Sequence, residues 1–229
     1  MRLAIIAISL FLTVQSFASP DTLMVESSGI RSLVGVWQGN APGSDVVVWF
    51  HGGMRSDNCL KGLVAADDFS QLFPQMTVIS ASACRDNHWA TMNMVNIIDA
   101  ALDSVAARQK RLVNTVSLVG ISDGSLGVIV YSMYGKRNVK NRLLMSTYGP
   151  ALGEAPQVAV HPKLKQGKWR FLQGGADRLY PSVQSLPWIE SFCKTQKGDC
   201  EPKFDPKGEH DWLYWKQNRM DWIREAILK

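Results

Sequence analysis

Several kinds of residue are scarce in this 229-residue sequence, and each shortage narrows what the protein can be. Only four cysteines and four histidines occur. No two cysteines form a C-x-x-C pair and no histidine-rich spacing accompanies them, so a zinc site or other bound metal is not expected. Beyond Val14 no apolar run approaches the roughly 20 residues that a helix needs to cross a bilayer, which argues against stable membrane insertion. Lys and Arg number 25 against 20 Asp and Glu, but they do not cluster as a nucleic-acid-binding segment does. A solvated basic surface accounts for the excess. Internal repeats, low-complexity tracts and interdomain linkers are missing as well.

What is present begins with an export signal. Met1-Arg2 supplies a positive start, Leu3 to Val14 an apolar run too short to span a membrane, and Ser16-Phe17-Ala18 the small residues a signal peptidase reads. Residues 1–18 are therefore read as a cleaved signal peptide and 19–229 as one domain, secreted or periplasmic. Cleavage removes Arg2, leaving 24 basic residues against 20 acidic ones. A hydrophobic share of 46% is enough for one full core. Export also places the cysteines in an oxidising compartment, where an even number suggests two disulfides. Three connectivities are open. Cys59–Cys84 and Cys193–Cys200 are favoured because each pair is close in sequence, the second flanking a Lys-Gly-Asp loop.

Hydrophobic patterning predicts two short strands, Thr22–Val25 and Leu33–Trp37, joined through a Ser27-Ser28-Gly29 turn. Continuous apolar runs at Val46–Phe50, Thr77–Ser80, Thr115–Val119, Arg142–Met145 and Trp169–Leu172 suit strands covered on both faces. Asn93–Arg108 shows the three-and-four spacing of an amphipathic helix. Ser125–Tyr134, Pro187–Cys193 and Trp212–Leu228 are the other predicted helices. Alternation of this kind predicts an α/β fold, a mostly parallel sheet with helices on both faces, whose ligand lies beyond the carboxyl ends of the strands.

Polar signatures follow three of those strands. Gly120-Ile121-Ser122-Asp123-Gly124 sits between a strand and a helix, as a nucleophile elbow requires: Ser122 occupies a strained turn, and its neighbours two residues away must be small. His51-Gly52-Gly53 follows Val46–Phe50 and offers backbone N–H donors for an oxyanion, from Gly53 or Met54, together with the N–H of Asp123. His51 itself is read as structural, since it precedes Ser122. Gly174-Gly175-Ala176-Asp177 presents a carboxylate that can orient a histidine and stabilise its charged form; a helix cap or Asx-turn is the competing role. Of the four histidines, His210 alone follows Asp177. His88 and His161 are read as surface or loop residues. Asp211, next to His210, is read as the N-cap of the last helix.

The order Ser122, Asp177, His210, each at a turn or loop of a βαβ chain, resembles that of the α/β-hydrolase superfamily over nearly all of the mature chain. Val46–Gly53 resembles the family's third strand and oxyanion loop, Val116–Gly124 its fifth strand and elbow, and Gly175–Pro181 and Glu209–His210 its acid and base loops. The resemblance implies hydrolysis of esters, thioesters or amides through an acyl-enzyme with no cofactor, on a small-molecule or polymeric ester substrate. Small secreted esterases of the polyester-depolymerase and feruloyl-esterase types are the nearest in character. Little room is left between Leu143 and Asp177 for the helical cap that many relatives insert, so an open site is expected. Trp89 and Trp212 are candidates to line an acyl or aryl pocket, although core packing accounts for most of the eight tryptophans. A secreted serine peptidase and a non-catalytic binding protein on the same scaffold are the rival readings.

Overall fold

Five consecutive residues, Val46–Phe50, are buried without exception, and they form β3 at the heart of the sheet. The computed structural model describes residues 20–229 apart from positions 28, 42, 54 and 55, so the expected signal peptide and the alternative donor Met54 lie outside the described residues. An antiparallel hairpin, β1 (Asp21–Ser27) and β2 (Ile30–Trp37), leads in. The remaining strands are β4 (Thr77–Ala81), β5 (Thr115–Ile121), β6 (Asn138–Met145), β7 (Lys168–Gly174) and β8 (Cys200–Asp205). All eight make one sheet in the order β1-β2-β4-β3-β5-β6-β7-β8, antiparallel only at the hairpin and at β2–β4. Parallel pairing from β4 to β8 brings the carboxyl ends of β3, β5, β7 and β8 to a single edge.

Strand alternation sends side chains to two cores. Val46, Val48 and Phe50 of β3 join Leu118, Trp169 and Phe171 on one face, packed under α3 (Met92–Arg108), α4 (Asp123–Tyr134) and α6 (Ser182–Gln196). Val47 and Trp49 join Val119, Leu143 and Leu172 on the other, under α2 (Asp67–Leu72) and α7 (Trp212–Leu228). The Thr91 hydroxyl caps α3 by accepting from the Met94 N–H at 3.4 Å. Asp211 caps α7, accepting from the Tyr214 N–H at 2.7 Å, the role expected of it.

Several elements escaped the sequence reading. Strand β8 has a single buried residue, Asp205, and carries Pro202, so it lacks the apolar run of an interior strand; it is the sheet's edge, where proline is tolerated. Short helices α1 (Gly62–Ala65) and α2 lie in a stretch taken for loop. Helix α6 starts at Ser182 rather than Pro187, which sits inside it and forgoes one backbone bond. Between β6 and β7 only short helical turns occur, Gly149–Leu152, α5 (Ala155–Ala159) and Pro162–Lys165, so no large cap covers the sheet edge. Both disulfides join the partners nearest in sequence, Cys59–Cys84 and Cys193–Cys200.

Candidate active site

The turn after β5 carries the site. Ser122 holds φ at 56°, a left-handed conformation that costs a non-glycine residue energy and raises its side chain above the sheet edge. Its flanking glycines are there for space: a Cβ on Gly120 would strike the Gly124 carbonyl, and one on Gly124 the carbonyls of Phe50 and His51. The Ser122 N–H is bonded to the Met145 carbonyl at 2.9 Å, which fixes the turn on β6.

Two further strand ends deliver the partners. Asp177 is buried, and its Oδ1 accepts the N–H groups of Leu179 at 3.0 Å and Tyr180 at 2.8 Å. Those bonds form the Asx-turn that competed with a catalytic role in the sequence. The turn does not use up the carboxylate, because Oδ2 remains for His210 Nδ1 at 2.8 Å. His210 Nε2 then lies 2.7 Å from Ser122 Oγ. Residues from three separate loops thus make one hydrogen-bonded relay, with the acid fully buried and the base slightly exposed. The base loop is held by β8: the Gly175 N–H bonds to the Asp205 carbonyl at 2.8 Å and the Ala176 N–H to the Gly208 carbonyl at 3.0 Å. Asp205 is anchored in turn by Tyr214 Oη at 2.8 Å and Arg219 at 2.6 Å.

On the other side of Ser122 lies the loop after β3. A Cβ on Gly52 would meet the Ser122 Cβ at 3.1 Å, and Gly53 has φ of +74°. His51 is structural. Its Nδ1–H donates to the Gly52 carbonyl at 2.8 Å, and its Nε2 accepts the Ala83 N–H at 3.0 Å. Burial lowers its pKa to about 4, which keeps the ring neutral. Trp89 is also a support rather than a pocket wall: it is 1% exposed, and its Nε1 donates to the His51 carbonyl at 2.8 Å. The expectation that it lines an acyl pocket is corrected on that ground. Trp212 is half-buried, packs edge-on against Trp49 and donates to Asp68 at 2.6 Å. Lys61 reaches back over the oxyanion loop, its Nζ 2.6 Å from where a Gly53 side chain would begin.

A parallel sheet with one antiparallel hairpin and a left-handed serine between β5 and α4 decides the architecture. The chain has the α/β-hydrolase fold. Its neighbours among solved structures agree, each at low identity. A cold-adapted esterase from an Arctic intertidal metagenomic library superposes with a TM-score of 0.63 at 17% identity, over 90% of this chain and 92% of the esterase. Esterase 2 of Thermogutta terrifontis, phosphorylated by paraoxon, gives 0.63 at 13% identity, over 91% and 95%. The acylaminoacyl peptidase of Pyrococcus horikoshii gives 0.61 at 11% identity; 87% of this chain is covered but only 38% of the peptidase. No family model and no curated protein sequence matches.

One residue beside Ser122 and His210 had no signal in the sequence. Tyr180 donates to Asp123 Oδ1 at 2.6 Å, sets its ring edge-on to His210 with centroids 4.8 Å apart, and stacks on Tyr148 at 5.2 Å. Burial and the bond to Asp123 push its phenol up to about 12, against the opposing hydrogen bond of the Ser122 hydroxyl. It stays protonated and touches nearly every part of the relay. Among the described residues no cluster of His, Cys, Asp and Glu has the arrangement of a metal site.

Proposed function

We propose that the chain is a serine hydrolase that cleaves carboxylic esters through an acyl-enzyme. The continuous relay from Asp177 through His210 to Ser122 Oγ, at 2.8 and 2.7 Å, is the observation that carries this reading. His210 Nε2 takes the hydroxyl proton as Ser122 Oγ attacks the ester carbonyl. Charge builds on the carbonyl oxygen, where the N–H groups of Asp123 and Gly53 are the donors. The imidazolium, steadied by Asp177, gives its proton to the leaving alkoxide, and the acyl group remains on Ser122. Water enters, loses a proton to His210 and frees the acid. Neither a metal nor an organic cofactor takes part.

Export to a secreted or periplasmic location belongs to the same reading, supported by the N-terminal pattern and the two disulfides. The likeness to a peptidase keeps amide substrates in view. Labelling with a fluorophosphonate tests the mechanism. The purified protein is expected to label, and Ser122→Ala and His210→Ala variants to remain dark. A folded wild type that does not label overturns the reading and favours a binding protein on a hydrolase scaffold. Parallel ester and amide panels then separate esterase from peptidase.

A further inference from the structure

At the opposite edge of the sheet from Ser122, where α4 ends and β6 and β7 begin, lies a cavity of about 240 Å³. Lys136, Arg137, Arg142 and Lys163 contribute to its wall together with Ser132 and Gln166, and among the described residues no Asp or Glu lines it. Arg142 is 1% exposed, so its charge has lost nearly all its water. Its hydrogen bonds go to neutral groups, Ser132 Oγ and the Gln166 carbonyl, both at 2.7 Å, and its guanidinium lies 4.4 Å from the Trp169 ring centroid. Burial alone pushes this guanidinium down to about 9, with no carboxylate opposing the shift. A buried cation without a counter-ion is costly, and natural proteins pair such charges.

Arg137 adds an unfilled donor. One guanidinium nitrogen pairs with Asp103, while its Nε is buried and without a hydrogen-bond partner. Lys163 donates to the Gly135 carbonyl at 2.8 Å, just past the end of α4. The helix terminus accounts for part of this basic character, but its dipole amounts to only about half a charge. The buried Asp99 nearby is already engaged by Tyr131 Oη at 2.6 Å and by the Lys136 N–H at 3.1 Å. A surplus of positive charge therefore converges on the cavity.

We propose that this cavity binds a tetrahedral oxyanion of the phosphate class. Its volume exceeds the roughly 30 Å³ of a water several-fold yet falls short of the roughly 300 Å³ at which pockets for whole organic ligands begin. It suits a single charged group. Positive charge from Arg137, Arg142, Lys136 and Lys163 in the wall matches the double charge of a phosphate better than the single charge of a carboxylate. The site is separate from the proposed catalytic centre.

Thermal unfolding of the purified protein tests it, in inorganic phosphate, in sulfate and in chloride at pH 7 and equal ionic strength. Phosphate at about five times its Kd is expected to raise Tm by about 2–4 °C, along a curve that saturates. Arg137→Gln and Lys163→Gln, both outside the core, are expected to remove the saturating part and leave the linear rise that excluded salts cause. They should retain the fluorophosphonate labelling and circular dichroism of the wild type. A purely linear rise, or the same saturating curve in both variants, overturns the site whatever the labelling shows. Co-sedimentation with vesicles of phosphatidic acid and phosphatidylcholine, but not phosphatidylcholine alone, and its loss in the variants, assigns the phosphate to a lipid; no sedimentation alongside saturable phosphate binding assigns it to a free ion or soluble monoester.

Discussion

Tyr180 and His51 show how single side chains condition the relay without belonging to it. Tyr180 ties the Asp123 carboxylate to one position next to Ser122. Tyr180→Phe removes that bond, and kcat on a short ester is expected to fall about tenfold with KM little changed, as loss of a hydrogen bond to a charged group allows. Equal changes in kcat and KM would count against this role. His51 sets a pH limit on the fold. Its pKa drops from 6.5 to about 4 on folding, so the unfolded chain binds its proton more readily. Stability is therefore complete above pH 6.5 and lost as the pH falls toward 4, by about 3 kcal/mol in all. Calorimetry from pH 7 to pH 4 should find that slope, shallower in His51→Gln. Ser122, Asp177 and His210 were legible because sterics and loop order constrain which residues stand at a strand end. Tyr180 was not, since an aromatic residue three positions past an acid has no pattern until the fold turns it back.

Elements add what no single residue carries. The strands over the hydrophobic core were readable because burial on two faces demands unbroken apolar runs. Edge strand β8 was not, although it supports the base loop, for an edge is satisfied by backbone bonds on one side and tolerates polar residues. The disulfides divide along the same line. Cys59–Cys84 clamps the segment after the oxyanion loop to the end of β4, where the Arg85 N–H also bonds to the Ser56 carbonyl at 2.9 Å. Cys193–Cys200 ties α6 to the start of β8, at the far edge from Ser122. Replacing either pair by alanines should cost stability, about 3–4 kcal/mol for the first and about 2–3 kcal/mol for the second by loop closure. Only the first should also lower kcat at a temperature where the variant is folded. Denaturant titrations beside initial rates would separate the two, and equal effects on kcat would refute the division.

At the scale of the whole molecule, the missing cap is the feature with most bearing on substrate choice. Among the described residues only short helical turns lie between β6 and β7, which leaves the sheet edge around Ser122 without a helical cap. Short, bulky or polymer-borne esters are expected to turn over faster than long acyl chains; a p-nitrophenyl series from acetate to palmitate checks this, and a maximum at palmitate would reverse it. Comparison reached the fold but not a particular polymer-degrading or feruloyl-cleaving type, which depends on loop shapes that composition does not encode. The order of the strands has one more effect. His210 lies between β8 and α7, after both Ser122 and Asp177, so a chain emerging amino-terminus first presents the hydroxyl and the carboxylate before the imidazole that joins them. On the proposed mechanism such a partial chain cleaves no ester, and competence arrives only when the segment that bears His210 docks.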